Sequence, residues 1–195
     1  MQKLFLSPGA CSMSCHIAFE EAHLKFEPMI DKWDDVARYN PMHAVPVLVL
    51  DDGKVVTQNV AILTYAAGQA AQANLLPPQG TFEHAQAYQW LSWVASDLHP
   101  TFGPLFNDKI QETERKETEE EVHGLLEIAD KHLAGKTFLM GNQFTIADAY
   151  LFTVYGWTKP LKISTDKYRN LNSYASRIAE RTAVQTVLKR EGLIK

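Results

Sequence analysis

The chain has 195 residues, 46% of them apolar, with 19 basic and 23 acidic side chains and a formal charge of −4. This length suits one domain or two small ones, and the mild acidity gives no electrostatic reason to expect nucleic acid or an anionic membrane as partner. Two cysteines cannot build a disulfide framework; no run reaches the ~20 apolar residues that span a bilayer; and the apolar start, Met1 to Leu6, is too short for a signal peptide, so a reducing cytoplasm is the expected location.

The first third alternates short strands and helices. Lys3 to Leu6 reads as a strand, ended by Ser7, Pro8 and Gly9. Ser12 to Glu21 follows as a helix, with Met13 and Ile17 at helical spacing. Leu24 to Ile30 is a second strand, and Pro28 within it argues that the strand lies at a sheet edge or ends early. The polar segment Asp31 to Asn40 has room for one short helical turn. Val45 to Leu50 is β-branched and apolar, Asp51-Asp52-Gly53 signals a tight turn, and Lys54 to Val56 returns as the next strand. A helix is expected from Asn59 to about Ala71.

Leu75 to Gly80, with two prolines and a glycine, breaks both helix and strand and reads as a linker. Everything after it is helical. Phe82 to Leu98 carries Tyr88, Leu91, Val94 and Leu98 on one face, and His99-Pro100 is expected to end or kink it. Glu112 to Leu133 is a long amphipathic helix that opens on a charge run, read as a solvated surface. Its apolar stripe is Val122, Leu125, Leu126, Ile128, Ala129 and Leu133. Further helices are expected over Thr145 to Trp157 and Leu171 to Arg181. The expected organisation is a mixed α/β domain over 1–76 and an all-α domain over 82–195.

Cys11 follows the first strand and opens the first helix. A helix N-terminus offers unpaired N–H groups and partial positive charge, which favour a thiolate, the reactive form of cysteine. The other reading is a small buried residue. Cys15, four residues on, lacks the Cys-X-X-Cys spacing of dithiol oxidoreductases and reads as a packed side chain. Val45-Pro46 opens a strand, and a cis bond there would offer the Val45 backbone to an extended peptide. Asn59 reads as a helix N-cap, or, with Gln58, as a seat for a carboxylate. His99 is either a surface residue at a helix end or an acid, base or substrate clamp. Thr145 and Asp148 have the spacing of a capping box. The other histidines show no metal-ligand spacing.

Taken in order, these features resemble the glutathione S-transferase family, and most closely its bacterial beta class. The carrying stretches are Leu4 to Ser12, Asn40-Pro41 with Val45 to Leu48, Gln58 to Ile62, Ser96 to His99, Pro104 to Phe106, Phe144 to Phe152 and the terminal Glu191 to Lys195. The resemblance implies a thioredoxin-like N-terminal domain, an all-α C-terminal domain, a homodimer and glutathione as cosubstrate, with no permanently bound cofactor and no metal. It implies catalytic roles for Cys11, Ser12 and His99. It assigns glutathione binding to Cys11, Lys32, Val45, Pro46, Gln58, Asn59, Ser92, Ser96, Asp97, Leu98 and His99, with Arg38 a second choice for the basic residue at the glycyl carboxylate. Ala10, Phe102, Phe106 and Trp157 become the apolar pocket for the second substrate. The family usually has Ser or Gly where this chain has Asn59, and the beta class often has a basic residue where it has Pro100.

The expected activity is conjugation of glutathione to small apolar electrophiles, with thiol–disulfide exchange through Cys11 as a second chemistry. A non-catalytic ligand- or partner-binding protein on the same fold is the alternative.

Overall fold

The computed structural model describes residues 1–195. The chain divides into two compact units, Met1–Pro77 with Ala179–Lys195, and Pro78–Ile178. The sequence reading places 179–195 with the helical part, whereas by contacts this tail lies with the first unit.

The first unit holds a four-stranded sheet in the order β2-β1-β3-β4: β1 (Gln2–Leu6), β2 (Phe26–Ile30), β3 (Val47–Val49) and β4 (Val55–Thr57). β1 runs parallel to β2, with Leu4 opposite Pro28, and antiparallel to β3, with Phe5 opposite Val47. Pro28 therefore sits on an edge strand, where a missing N–H costs no ladder bond. Alternation puts Phe5, Val47 and Val49 on one face, packed with Val36 of α2 (Trp33–Tyr39). α2 is longer than the single turn expected, because Val36 anchors it to this face.

Leu4, Leu6 and Leu48 point to the other face, and all three are buried. α1 (Ser12–Glu21) and α3 (Asn59–Gln69) pack against each other. Tail helix α9 (Thr182–Arg190), beyond the last helix read from sequence, packs on α1 and buries Val184 and Val187. Arg181 makes a bidentate pair with Glu21 at 2.6 and 2.8 Å, and Arg190 pairs with Glu20.

The second unit contains α4 (Phe82–Trp93), α5 (His99–Phe102), α6 (Glu112–His132), α7 (Ile146–Gly156) and α8 (Arg169–Ala179). His99-Pro100 does not end the helical path. A π turn over Val94–Leu98 leads straight into α5, and the His99 N–H bonds the Val94 carbonyl five residues back. The wider turn absorbs the proline, so His99 keeps helical angles despite preceding it. On α6, Ile128 is 50% exposed, and the buried stripe is Val122, Leu126 and Ala129, continued by Leu133. The Thr145–Asp148 capping box is present at the start of α7. No helix is long and apolar enough to cross a membrane.

Candidate functional site

In the first unit the site begins in the loop from β1 to α1. Ser7 to Ala10 form a turn closed by the Ala10 N–H on the Ser7 carbonyl at 3.1 Å. Gly9 lies at φ +69°, which suits glycine after Pro8 in such a turn. Two buried side chains hold the loop. The Ser12 hydroxyl accepts the Ser7 N–H at 3.1 Å and lies 3.3 Å from the Ser7 carbonyl. Glu191 accepts the Gly9 N–H at 2.9 Å through Oε2 and contacts His16 Nδ1 at 2.8 Å through Oε1. Ser12 is fully buried, so its hydroxyl shapes the loop and is closed to a substrate, contrary to the catalytic role expected. No local signal marked His16 or Glu191, because 175 residues separate them in sequence.

Cys11 is already in helical conformation, at φ −54° and ψ −28°. Its Sγ donates to the Val45 carbonyl at 3.4 Å, and the Val45-Pro46 bond is cis. Burial pushes the Cys11 thiol up to about 11, outweighing the backbone N–H groups of Ser12 and Cys11 that favour the thiolate. The expectation of an activated thiolate from the helix end alone is therefore corrected: the apolar surroundings win, and the free protein carries a protonated thiol. Cys15 is fully buried, and burial raises its thiol well above the usual range.

Gln58 occupies φ +75°, rare for a residue with a side chain, and is exposed at the N-terminus of α3. Backbone held in this region gathers at ligand-binding positions. Gln58, not Asn59, is the cap residue, and Asn59 starts the helix. The Asn59 side chain turns inward. Its Nδ2 donates to Ser14 Oγ at 2.8 Å, and its Oδ1 accepts from Cys15 Sγ at 3.2 Å. The amide expected to help seat a carboxylate thus ties α3 to α1. The open donors at that end are the first backbone N–H groups of the helix. Lys32 is exposed at the start of α2, and Arg38 lies 3.8 Å from Asp35. Pro46 is buried and Ala10 half-buried.

In the second unit the π turn presents Ser96 and Asp97 to the surface. The Ser96 hydroxyl lies 2.8 Å from the Ser92 carbonyl and 2.7 Å from Asp97 Oδ2. Leu98 is fully buried, so its side chain belongs to the core rather than to a ligand. His99 is half-buried; its Nδ1 lies 2.6 Å from Tyr150 Oη and its ring meets Trp157 edge to face, centroids 4.8 Å apart. Burial lowers the His99 pKa, favouring the neutral ring. Phe102 and Phe106 also stack edge-on against Trp157, at 5.7 and 5.4 Å. Of these, Phe106 is 51% exposed while Phe102 is fully buried, so Phe102 backs the cluster instead of lining it. Tyr150, fixed on α7 behind the capping box, was not singled out from sequence. Its place in the Phe144 to Phe152 stretch was visible, its contact with a histidine 51 residues away was not.

The chain contains no group of three or more His, Cys, Asp or Glu residues that could hold a metal ion.

Comparison with known proteins gives two family matches, the glutathione S-transferase N-terminal domain over residues 9–69 and the C-terminal domain over 93–182. The chain is 34% identical to the glutathione S-transferase GstA of Escherichia coli O157:H7 over 199 aligned positions, covering 98% of this chain and 99% of that protein. A sphingomonad glutathione S-transferase complexed with glutathione superposes with a TM-score of 0.93 at 38% identity, covering 98% of this chain and 100% of that one. A beta class glutathione S-transferase of Sphingomonas chungbukensis matches with the same TM-score, identity and coverage.

Proposed function

The chain belongs to the glutathione S-transferase family, and from that premise we propose that this enzyme conjugates glutathione to small apolar electrophiles. In the reaction the glutathione thiol gives up its proton, its sulfur forms a thioether bond to the electrophilic carbon, and the leaving group departs with the bonding pair. The observation that carries the reading is the pairing of Cys11 Sγ with the Val45 carbonyl, which puts a thiol beside a backbone acceptor in the first unit.

Cys11 acts in this scheme as a protonated donor that steers and stabilises the glutathione sulfur. Its raised pKa supports that role. Thiol–disulfide exchange through Cys11 remains a second chemistry, available when the Val45 carbonyl lets the thiol go. Gln58 and the N-terminal amides of α3 hold the γ-glutamyl end. Val45 pairs with the cysteinyl backbone, and Lys32 meets the glycyl carboxylate. On family grounds we assign Ser92, Ser96, Asp97 and His99 to glutathione binding, and Phe106 with Trp157 to the electrophile. We place the enzyme in the cytoplasm as a homodimer on family grounds.

One observation favours a second reading, a non-catalytic binding protein: the Asn59 side chain is committed to Ser14 and Cys15. Calorimetric titration with glutathione separates the two. Saturable binding in the millimolar range or below supports the enzyme; no heat at millimolar glutathione favours the binding protein.

A further inference from the structure

His99 is gripped at one ring nitrogen only. Nδ1 meets Tyr150 Oη at 2.6 Å, while Nε2 has no hydrogen-bond partner within the protein. Trp157 stands edge-on to the ring and limits its swing. Tyr150 itself is 2% exposed, on a helix whose start is locked by Thr145 and Asp148. The phenol therefore cannot move aside, and the imidazole is held between two fixed aromatic neighbours.

A neutral imidazole carries one N–H and one lone-pair nitrogen, and the partner of one nitrogen decides the state of the other. A phenol O–H is a better donor than its oxygen is an acceptor. A separation of 2.6 Å is shorter than the usual N–H···O bond, and a short O–H···N contact fits it. We propose that Tyr150 is a positioning residue: its hydroxyl donates to His99 Nδ1 and thereby fixes the proton on Nε2. His99 then presents an N–H donor. It stabilises negative charge on a sulfur or carbonyl oxygen of the substrate, and it is not the base that takes the thiol proton.

The functional consequence rests on the transferase reading given above, while the tautomer is a property of the free chain. The two are therefore tested separately on the full-length protein. Long-range 15N correlation of the histidine rings, with His99 assigned by comparison with His99→Gln, should show Nε2 protonated and Nδ1 bare near neutral pH. In Tyr150→Phe, which keeps the ring and deletes the hydroxyl, the pattern should shift toward a mixture of tautomers. If the protein conjugates glutathione, the same variant should lose about three- to tenfold in kcat, the scale of one hydrogen bond, with KM for glutathione changed less than twofold. Tyr150→Phe in the His99→Gln background should have no further effect on kcat, which separates positioning from a general loosening of the fold. A wild-type Nδ1–H, or an unchanged ring pattern in Tyr150→Phe, overturns the proposal whether or not the protein proves to be a transferase. The absence of any conjugation in wild type would defeat the transferase reading and leave the tautomer result standing.

Discussion

Cys11 Sγ and the Val45 carbonyl lie 3.4 Å apart and share the thiol proton as donor and acceptor. With the thiol pushed up to about 11, the thiolate fraction near neutral pH is about a hundredfold below that of an ordinary cysteine. Alkylation of the free protein by iodoacetamide should therefore be slow at pH 7 and climb steadily through pH 10. Mass spectrometry of the Cys11 peptide reads this directly. A rate at pH 7 equal to that of a free thiol would show that burial does not control this sulfur.

Asn59 tests whether its amide serves the fold or the ligand. Asn59→Ala removes the amide that bridges Ser14 Oγ and Cys15 Sγ in the buried contact between α1 and α3, leaving these groups only their bonds to the Cys11 and Asn59 carbonyls. The expected loss is ~1–3 kcal/mol in urea unfolding, with glutathione affinity changed less than the stability. A variant of unaltered stability that binds glutathione poorly would return the amide to the ligand.

Glu191 joins the tail to the Cys11 loop through Gly9 and His16. Glu191→Ala deletes the carboxylate bonded to the Gly9 N–H and to the buried His16 ring, and should cost ~1–3 kcal/mol for each hydrogen bond lost. Glu191→Gln keeps one acceptor and should cost less. Denaturant unfolding at constant m-value measures both, and an alanine variant within ~0.5 kcal/mol of wild type would place the tail outside the stability of this unit.

Much of this architecture was legible in the residues. Ser12 to Glu21 and the edge position of Pro28 followed from spacing and from proline chemistry, because local rules decide them. What sequence could not show was how distant groups spend their hydrogen bonds. Ser12 and Asn59 look like ligand-facing polar residues, and the fold turns both inward. Cys11 sits at a helix start as expected, but its charge state depends on how apolar the surroundings are, which only packing reveals. His99-Pro100 reads as a helix end or kink, and which of the two occurs is decided by a π turn that spacing rules do not anticipate. Leu98 and Phe102 lie in the right stretch of chain but face the core.

Asp148 gives a pH dependence of stability. Its carboxyl accepts the N–H groups of Leu139 and Thr145 and the hydroxyls of Thr145 and Tyr174, yet burial outweighs them and raises its pKa from 3.8 to about 6. Between these values the native carboxyl keeps a proton that the unfolded chain has lost. This group's contribution therefore falls as pH rises from about 4 to 6, by about 3 kcal/mol, and is level above that. Wild type minus Asp148→Ala, followed by urea unfolding from pH 4 to 7, isolates the term. A difference that grows with pH instead would mean that the hydrogen bonds hold the carboxylate charged.

Conjugation of glutathione, with Cys11 as the steering thiol, is the chemistry proposed for this enzyme. It is tested most directly by measuring thioether formation from glutathione and an activated aryl halide, for wild type and Cys11→Ala, beside reduction of a glutathione mixed disulfide. Wild type should show saturable, glutathione-dependent thioether formation, and Cys11→Ala a reduced but measurable rate with loss of disulfide reduction. Wild type that forms no thioether above the uncatalysed rate would contradict it.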